Sequence, residues 1–557
     1  MPSELDRRYD AAVAAVTGEG GRIQVGPDPA TGLAIVTNLP PTLPTLFDIF
    51  CALHADMEAV VAGEERLTFA DLNRHATALA RALVGAGVGK GDRIGIAMRN
   101  CPAWIVVWMA VLKAGGVATL LNGWWRGEEM MHALTLTSPK LIVADAPRGE
   151  RLQAAGCPIP LTILPIGQPI ETAIAPLMTE AGADLPIVLP TDDATILFTS
   201  GSTGPAKGAV STHRAVTTGV YTYAIGLAAL LGLKEAAGVP PSPPRTLINV
   251  PLFHVTGEVP VLLNSFVVGR TMVLMPKWDP EEALRLIEKE KITYFVGVPT
   301  MSMEMAQVPD RAKYDLSSLT DIAAGGAARP VSHVERLERA FTGAQPALGY
   351  GLTETNAVGC SNFWSNYHDK PASTGRVMQP LVDLAILGDG DRHLSVGERG
   401  EIAIRSAANI RGYWNDAAAT KAAVTADGFF RSGDIGYLDA DGYLFIVDRK
   451  KDIIIRGGEN ISAQEVEAAI YADGGVSEAA VFGIPDDRLG EVPAAVIYSE
   501  TGGIDAASLL AFLADRLAPF KLPAAIWFTD EPLPKLGTGK IDKLALRDRF
   551  RDAAHGA

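Results

Sequence analysis

Apolar and polar positions alternate in a repeating unit along most of this chain. A short, continuous apolar run is followed by a longer stretch with apolar side chains at helical spacing. The short runs fall at 92–97, 117–121, 141–144, 196–199, 246–250, 271–275, 294–298, 319–323 and 347–349, and read as strands. Helical spacing fills the segment from about 98 to 113, then 128–138, 212–231, 257–266, 280–289 and 331–341. An earlier helix runs to about 84, with Thr68 or Asp71 as its cap. Strands separated by helices predict an α/β fold of parallel, doubly wound sheets. Residues 1 to about 45 show no clear element before the apolar run at 46–50.

The pattern changes after about residue 380. Residues 382–406 are strand-rich, with turn signals at 388–390 and 397–400. A hairpin is expected over 435–447, around Asp439-Ala440-Asp441-Gly442. These strands predict a small β-barrel or antiparallel sheet over about 380–447. A charged joint follows, Asp448-Arg449-Lys450-Lys451-Asp452. Beyond it lies a compact α+β pattern: a helix at 464–472, strands at 479–483 and 494–498, and helices at 506–517 and from about 542. Two domains are therefore expected, 1–448 and 449–557, with no internal repeat and no low-complexity tract.

Composition narrows the function. Hydrophobic residues make up 48% of the 557, enough for a large core. A net charge of −15 argues against nucleic-acid binding and against a polybasic membrane anchor. The four cysteines, Cys51, Cys101, Cys157 and Cys360, form no CxxC or Cys/His cluster, so neither a zinc site nor a disulfide framework is expected. The opening MPSELDRRYD is too polar for a signal peptide. The apolar stretch 103–121 is broken by Lys113 and Gly115-Gly116, short of the ~20 apolar residues of a spanning helix. No transmembrane segment and a cytoplasmic location are the expectation. Of the adjacent Trp124 and Trp125, core packing is favoured over a ligand wall.

The segment ILFTSGSTGPAKG, residues 196–208, carries the first chemical signal. An apolar strand ends in a turn of small, hydroxyl-bearing residues, then a lysine. Backbone N–H groups can converge there on a polyanion, with hydroxyls and a positive charge beside them. Phosphate is the expected guest; an ordinary Gly/Ser surface loop is the alternative. It is not a GxxxxGK[ST] loop, because Gly208 follows Lys207. Other distinctive residues lie at expected strand ends, where open α/β sheets bind ligands: His254, Gly325-Gly326-Ala327 and Tyr350-Gly351-Leu352-Thr353-Glu354.

Further motifs follow in order: Ser432-Gly433-Asp434, Asp448-Arg449, Gly457-Gly458-Glu459-Asn460-Ile461 and Pro534-Lys535-Leu536-Gly537-Thr538-Gly539-Lys540-Ile541. Together with the 196–208 loop and Tyr350–Glu354 they closely resemble the adenylate-forming superfamily over about residues 45–550. Acyl-CoA synthetases, beetle luciferases and peptide-synthetase adenylation domains belong to it. The resemblance implies two half-reactions in one site. A carboxylate attacks the α-phosphate of Mg-ATP, giving an acyl-adenylate and pyrophosphate. A thiol, usually that of CoA, then displaces AMP. Both first-step reactants are anions, so the site must offset repulsion and hold them in line.

Roles follow by resemblance, position by position. Thr199, Ser200, Gly201, Ser202, Thr203, Gly204 and Lys207 would cradle the β- and γ-phosphates. Gly325, Gly326 and Ala327, with Gly349, Tyr350, Gly351 and Leu352, would line the nucleotide site. Thr353 would touch the α-phosphate and Glu354 would hold Mg²⁺. Asp434, helped by Arg449, would bind the ribose. Lys540 would reach the nucleotide and stabilise transition-state charge. His254, with Val255, Thr256, Gly257 and Val298, would line the acid and thiol path, joined by Gly457 and Gly458. Lys451 sits at the hinge position about which the small domain would rotate. Taken singly, Glu354 and Lys540 would each be read as solvated surface charges, Asp434 as a turn residue and His254 as structural; their motifs single them out. One departure is visible: Pro205 precedes Ala206, where the resemblance often has Pro directly before the lysine.

The chain runs 17 residues past Lys540, so no carrier domain is expected. The leading expectation is an acyl-CoA synthetase using ATP, CoA and a carboxylic acid. A medium- or long-chain fatty acid comes first, an aromatic or aryl-propenoic acid second. A ligase that loads a carrier protein, and a catalytically silent nucleotide-binding scaffold, are the alternatives. Oligomeric state is open, a homodimer included.

Overall fold

The computed structural model describes residues 2–178, 182–199, 206–327, 329–450, 452–457, 459–486, 488–500, 502–536 and 539–551. The architecture is α/β, with a large N-terminal domain of mixed sheets and a small C-terminal domain. One sheet of the large domain has seven strands, including the parallel set Asp193–Phe198, Val117–Leu120, Arg93–Ala97, Leu141–Asp145 and Leu161–Leu164. The other has thirteen. Its parallel part is Gln345–Gly351, Asp321–Ala324, Tyr294–Gly297, Arg245–Ile248, Thr271–Leu274 and Glu58–Ala62. Helix Pro102–Lys113 is buried along its whole length, in an apolar cluster fed by strands of both sheets. That explains its all-round apolar sequence. Lys113 is tolerated because its ammonium reaches Asp48.

Two local expectations change. Residues Glu4–Thr17 form a helix, where no element was expected. Ser3 and Asp6 close a capping box at its start, and the helix packs on His213–Ala236. Apart from Leu5 and Tyr9 its apolar positions are alanines and valines, so the apolar stripe is faint in sequence. The strands over about 380–447 are antiparallel as expected. They are hydrogen-bonded through Gly375–Val377 into the thirteen-stranded sheet, so they extend that sheet and do not stand apart as a closed barrel. Trp124 is 54% exposed, while Trp125 packs edge-on against Phe198, 5.4 Å between ring centroids.

Among the described residues one helix, His213–Ala236, is long and apolar enough to cross a membrane, but most of it is buried in the protein. Past the joint, Ile454–Arg456, Glu459–Ile461, Gly490–Tyr498, Glu478–Asp486 and Ala525–Thr529 make a five-stranded sheet. It has its own core around Val466, Ile470, Ala495 and Leu509.

Candidate functional site

The carboxyl ends of the parallel strands open into one continuous cavity of about 2180 Å³, which also reaches the small domain. Thr199, Lys207, His254, Val255, Thr256, Val298, Gly325, Gly326 and Ala327 line it. So do Gly349, Tyr350, Gly351, Leu352, Thr353, Glu354, Asp434, Arg449 and Lys540. Gly257 and Gly457 are not in its wall. Gly257 opens the π-helical turn Gly257–Leu263, where a Cβ would stand 2.3 Å from the Pro251 carbonyl. Gly457 turns the hairpin between Ile454–Arg456 and Glu459–Ile461. Ser200, Gly201, Ser202, Thr203, Gly204, Lys451 and Gly458 lie outside the described residues, as do Gly537 and Thr538.

The phosphate-loop candidate is the tip of a hairpin between Asp193–Phe198 and Gly208–Thr212, which are antiparallel. The Thr199 amide donates to the Lys207 carbonyl at 3.0 Å and closes the hairpin's base. The Lys207 ammonium lies 5.0 Å above the Tyr413 ring. The Tyr413 hydroxyl in turn donates to Glu354 Oε1 at 2.9 Å. Tyr413 thus joins the lysine and the glutamate, a role no motif in the sequence marked. Burial pushes the Glu354 carboxyl pKa up, opposed by the Tyr413 hydrogen bond. Glu354 sits on the short turn Thr353–Thr355, followed by Asn356 in the left-handed region. Buried Asn356 donates to Ser211 Oγ at 2.9 Å and the Ala408 carbonyl at 2.7 Å, which holds the turn rigidly. At Gly351 a Cβ would meet the Ala357 carbonyl at 2.2 Å, so only glycine fits.

Asp434 is held from both sides. Arg449 Nε stands 3.1 Å from Oδ1 and the Tyr350 hydroxyl donates to Oδ2 at 2.7 Å. The two strands Phe430–Leu438 and Tyr443–Arg449 pair Asp434 directly with Arg449. This is a carboxylate fixed in place, with hydroxyl-binding capacity remaining.

His254 Nδ1 accepts the Thr256 amide at 3.2 Å, which leaves the proton on Nε2. Burial, and then the Lys540 charge, lower its pKa to about 3. At neutral pH it is an uncharged donor.

Lys540 comes from the other domain. A Cβ at Gly326 would be 3.4 Å from Lys540 Cε and 3.8 Å from Nζ. Those are ordinary contact distances; it is φ, +77°, that favours glycine at 326. The neighbouring Gly539 passes over Val298 and Met301. The loop is held at its root by Lys535, whose ammonium is 2.8 Å from Glu304 of the large domain and 2.8 Å from Glu478 of the small one. Neither glutamate was singled out in the sequence. Their spacing from Lys535 carries no local signal.

A model of the AMP-binding enzyme family matches residues 47–414, and one of the AMP-binding enzyme C-terminal domain matches 465–540. The chain is 34% identical to a long-chain-fatty-acid–CoA ligase of Bacillus subtilis, over 92% of this chain and 95% of that one. It is 37% identical to a feruloyl-CoA synthase of an Amycolatopsis species, over 88% and 96%. Among solved structures, the o-succinylbenzoate CoA synthetase of Bacillus subtilis in complex with its acyl-adenylate intermediate superposes with a TM-score of 0.77. It is 26% identical and covers 90% of this chain and 98% of that one. A Mycobacterium tuberculosis fatty acyl CoA synthetase superposes at 0.69, with 29% identity over 92% and 99%.

Proposed function

The chain belongs to the AMP-binding enzyme family of acid–CoA ligases, and from that premise we propose that it converts a carboxylic acid, ATP and CoA into an acyl-CoA, AMP and pyrophosphate. The observation that carries this reading is the seating of Lys540 beside Gly326 and His254, in the same cavity as Thr199, Lys207, Glu354 and Asp434.

In the first step a carboxylate oxygen forms a bond to the α-phosphorus, and the bond to the β-phosphate oxygen breaks. Lys540 places its charge where the carboxylate and α-phosphate meet. Neutral His254 donates from Nε2 toward the acid without competing as a cation. Lys207 and the Thr199 hairpin hold the leaving pyrophosphate. Asp434 and Arg449 hold the ribose, and Gly325–Ala327 with Gly349–Leu352 flank the base. Thr353 lies beside the α-phosphate. Among the described residues no group of three or more metal-binding side chains occurs. Glu354 would offer a protein carboxylate to Mg²⁺, which fits an ion that takes one or two carboxylates and fills its shell with substrate phosphates and water. When bound, Mg²⁺ would neutralise charge on the phosphates and on Glu354.

In the second step the CoA sulfur bonds to the acyl carbon, AMP leaves and the thiol proton is lost. Lys540 must withdraw for the thiol to enter. Rotation of residues 449–557 about Lys451 is the proposed movement, with Gly457 and Gly458 brought toward the thiol path. The middle of the cavity is apolar, with Val296, Ala323, Ala347, Leu227 and Leu230 in its wall. It suits an elongated acid of the fatty or aryl-propenoic kind, acting in the cytoplasm.

Pyrophosphate release from ATP, measured across an acid panel with and without CoA, tests the reading. Acid-dependent pyrophosphate and CoA-dependent thioester are expected. Pyrophosphate with no CoA dependence points to a carrier-protein acceptor. No pyrophosphate with any acid rejects the activity.

A further inference from the structure

The cavity does not stop at the reacting groups. It follows one face of the thirteen-stranded sheet from the carboxyl ends of the strands back to their amino ends. Successive alternate residues line it: Gly325, Ala323 and Asp321 on one strand, Val298, Val296 and Tyr294 on the next. Side chains two apart share a face, and four residues of strand span ~13 Å. The opposite wall is the stripe Tyr223, Gly226, Leu227 and Leu230 of helix His213–Ala236, at helical spacing. Small side chains in the middle leave a trough.

At the far end stands Arg270. It is 5% exposed and lines the cavity. Its guanidinium lies 4.8 Å over the Tyr294 ring. Its Nε and Nη1 have no hydrogen-bond partner among the described residues. The carboxylate nearby cannot serve. Asp321 Oδ2 is taken by Lys234 at 2.8 Å and by Thr320 at 2.6 Å, and Oδ1 by Trp364 at 3.3 Å. Asp321 is paired with Lys234, and among the described residues Arg270 has no salt bridge of its own, so this end of the cavity is left with an excess of positive charge. Asn264, also 5% exposed in the wall, has an unpartnered Oδ1. Its amide can turn to present either a donor or an acceptor. An unpaired buried guanidinium is costly, because it has left water without gaining an oxygen partner.

We propose that the acid activated here carries an oxygen acceptor, a second carboxylate in preference to a ketone, at the end remote from the reacting carboxyl, and that Arg270 receives it. The inference rests on the acid–CoA ligase reading and names the substrate class within it. A plain hydrocarbon terminus would leave the guanidinium unpaired in the complex. A terminal carboxylate would offer it paired, charge-assisted hydrogen bonds. The length of the trough sets the separation of the two functional groups at about the four-residue span between Gly325 and Asp321, ~13 Å. Tyr294, stacked on Arg270, holds the guanidinium plane.

The test compares acids of matched length that end in a methyl, a ketone or a carboxylate, with pyrophosphate release read as kcat/KM. Wild type is expected to favour the carboxylate-ended acid over the methyl-ended one by about tenfold or more, with the ketone between. Arg270→Met should invert the order, whereas Arg270→Lys should retain part of it. The ratio between substrates is the readout, so a general loss of folded protein does not mimic the result. Equal or better turnover of the methyl-ended acid by wild type overturns the inference while leaving the ligase reading intact. An unchanged ratio in Arg270→Met also overturns it. Silence with every acid in the panel, by contrast, removes the ligase reading itself.

Discussion

The two ends of the cavity differ in how their charge is arranged. At the carboxyl ends of the strands the charge is mixed: Glu354, whose carboxylate accepts from the Tyr413 hydroxyl, shares the wall with Lys207, Lys540 and the buried Arg329. At the amino ends it is positive and belongs to Arg270, which rests on the Tyr294 ring. The first end has cations at hand, Lys207 beside Tyr413 and Lys540 beside Gly326. The second end has Lys234, already committed to Asp321. The contrast sets an end where side chains of both signs gather against one where a single guanidinium rests on an aromatic ring. Asp434 shows the third arrangement, a carboxylate balanced within the protein by Arg449.

The largest effect should come from emptying the reactive end of its mobile cation. Lys540→Ala is expected to slow adenylation by about a thousandfold, of the order seen for a preorganised transition-state donor. Thioester formation from supplied acyl-adenylate should remain mostly intact. Equal loss of both half-reactions, followed by single-turnover kinetics, would deny Lys540 its separate role.

Glu354→Gln comes next, with adenylation reduced by about a hundredfold and a weaker response to Mg²⁺. It also sharpens the contrast through stability. Burial raises the Glu354 pKa in the folded chain, so the folded state holds more protons than the unfolded one above the ordinary Glu range. That contribution is present at low pH and is lost as pH rises through the window up to the raised value. The variant should therefore unfold at a higher temperature than wild type at neutral pH without nucleotide, and lose this part of the pH dependence. A lower melting temperature at neutral pH would show that the carboxylate is already well compensated.

A smaller effect is expected at the root of the lysine loop. Lys535→Met removes the bridge between Glu304 and Glu478. Lys535 and Glu304 are partly exposed, and buried Glu478 keeps the Leu533 amide at 2.7 Å as a donor, so the loss should be modest, about threefold in adenylation rate. The thioester step should be unchanged or slightly faster, since the seated pose is what the bridge favours. A slower second step would mean that Lys535 acts beyond that pose.

Much of the reactive end was legible because its signals are local. The hairpin tip with Thr199 and Lys207, the Tyr350–Glu354 turn and Asp434 each declare themselves within a few residues. Turn geometry and hydroxyl or carboxylate chemistry are specified there by neighbours in sequence. Tyr413 was not legible. It lies 59 residues from Glu354 and between a glycine and a tryptophan that match no phosphate motif. The helix Glu4–Thr17 escaped because alanines and valines give a weak stripe, and its burial depends on His213–Ala236, far along the chain. The barrel expected near 380–447 became part of a larger sheet because Gly375–Val377 bridges to Tyr443–Arg449, a pairing that strand propensity does not specify.

The sequence by itself determined the α/β class, the order of strands and helices, and the chemistry of an adenylate-forming ligase. Hydrophobic period and motif spacing are properties of consecutive residues. The tertiary structure decided which charges find partners. It seated Lys540 against Gly326, tied Lys207 to Glu354 through Tyr413, and committed Asp321 to Lys234 so that Arg270 was left unpaired. Such pairings depend on which side chains packing brings within hydrogen-bond distance, and on how far water is excluded around them. Neither can be read from composition or spacing, because both are set by contacts between residues far apart in the chain.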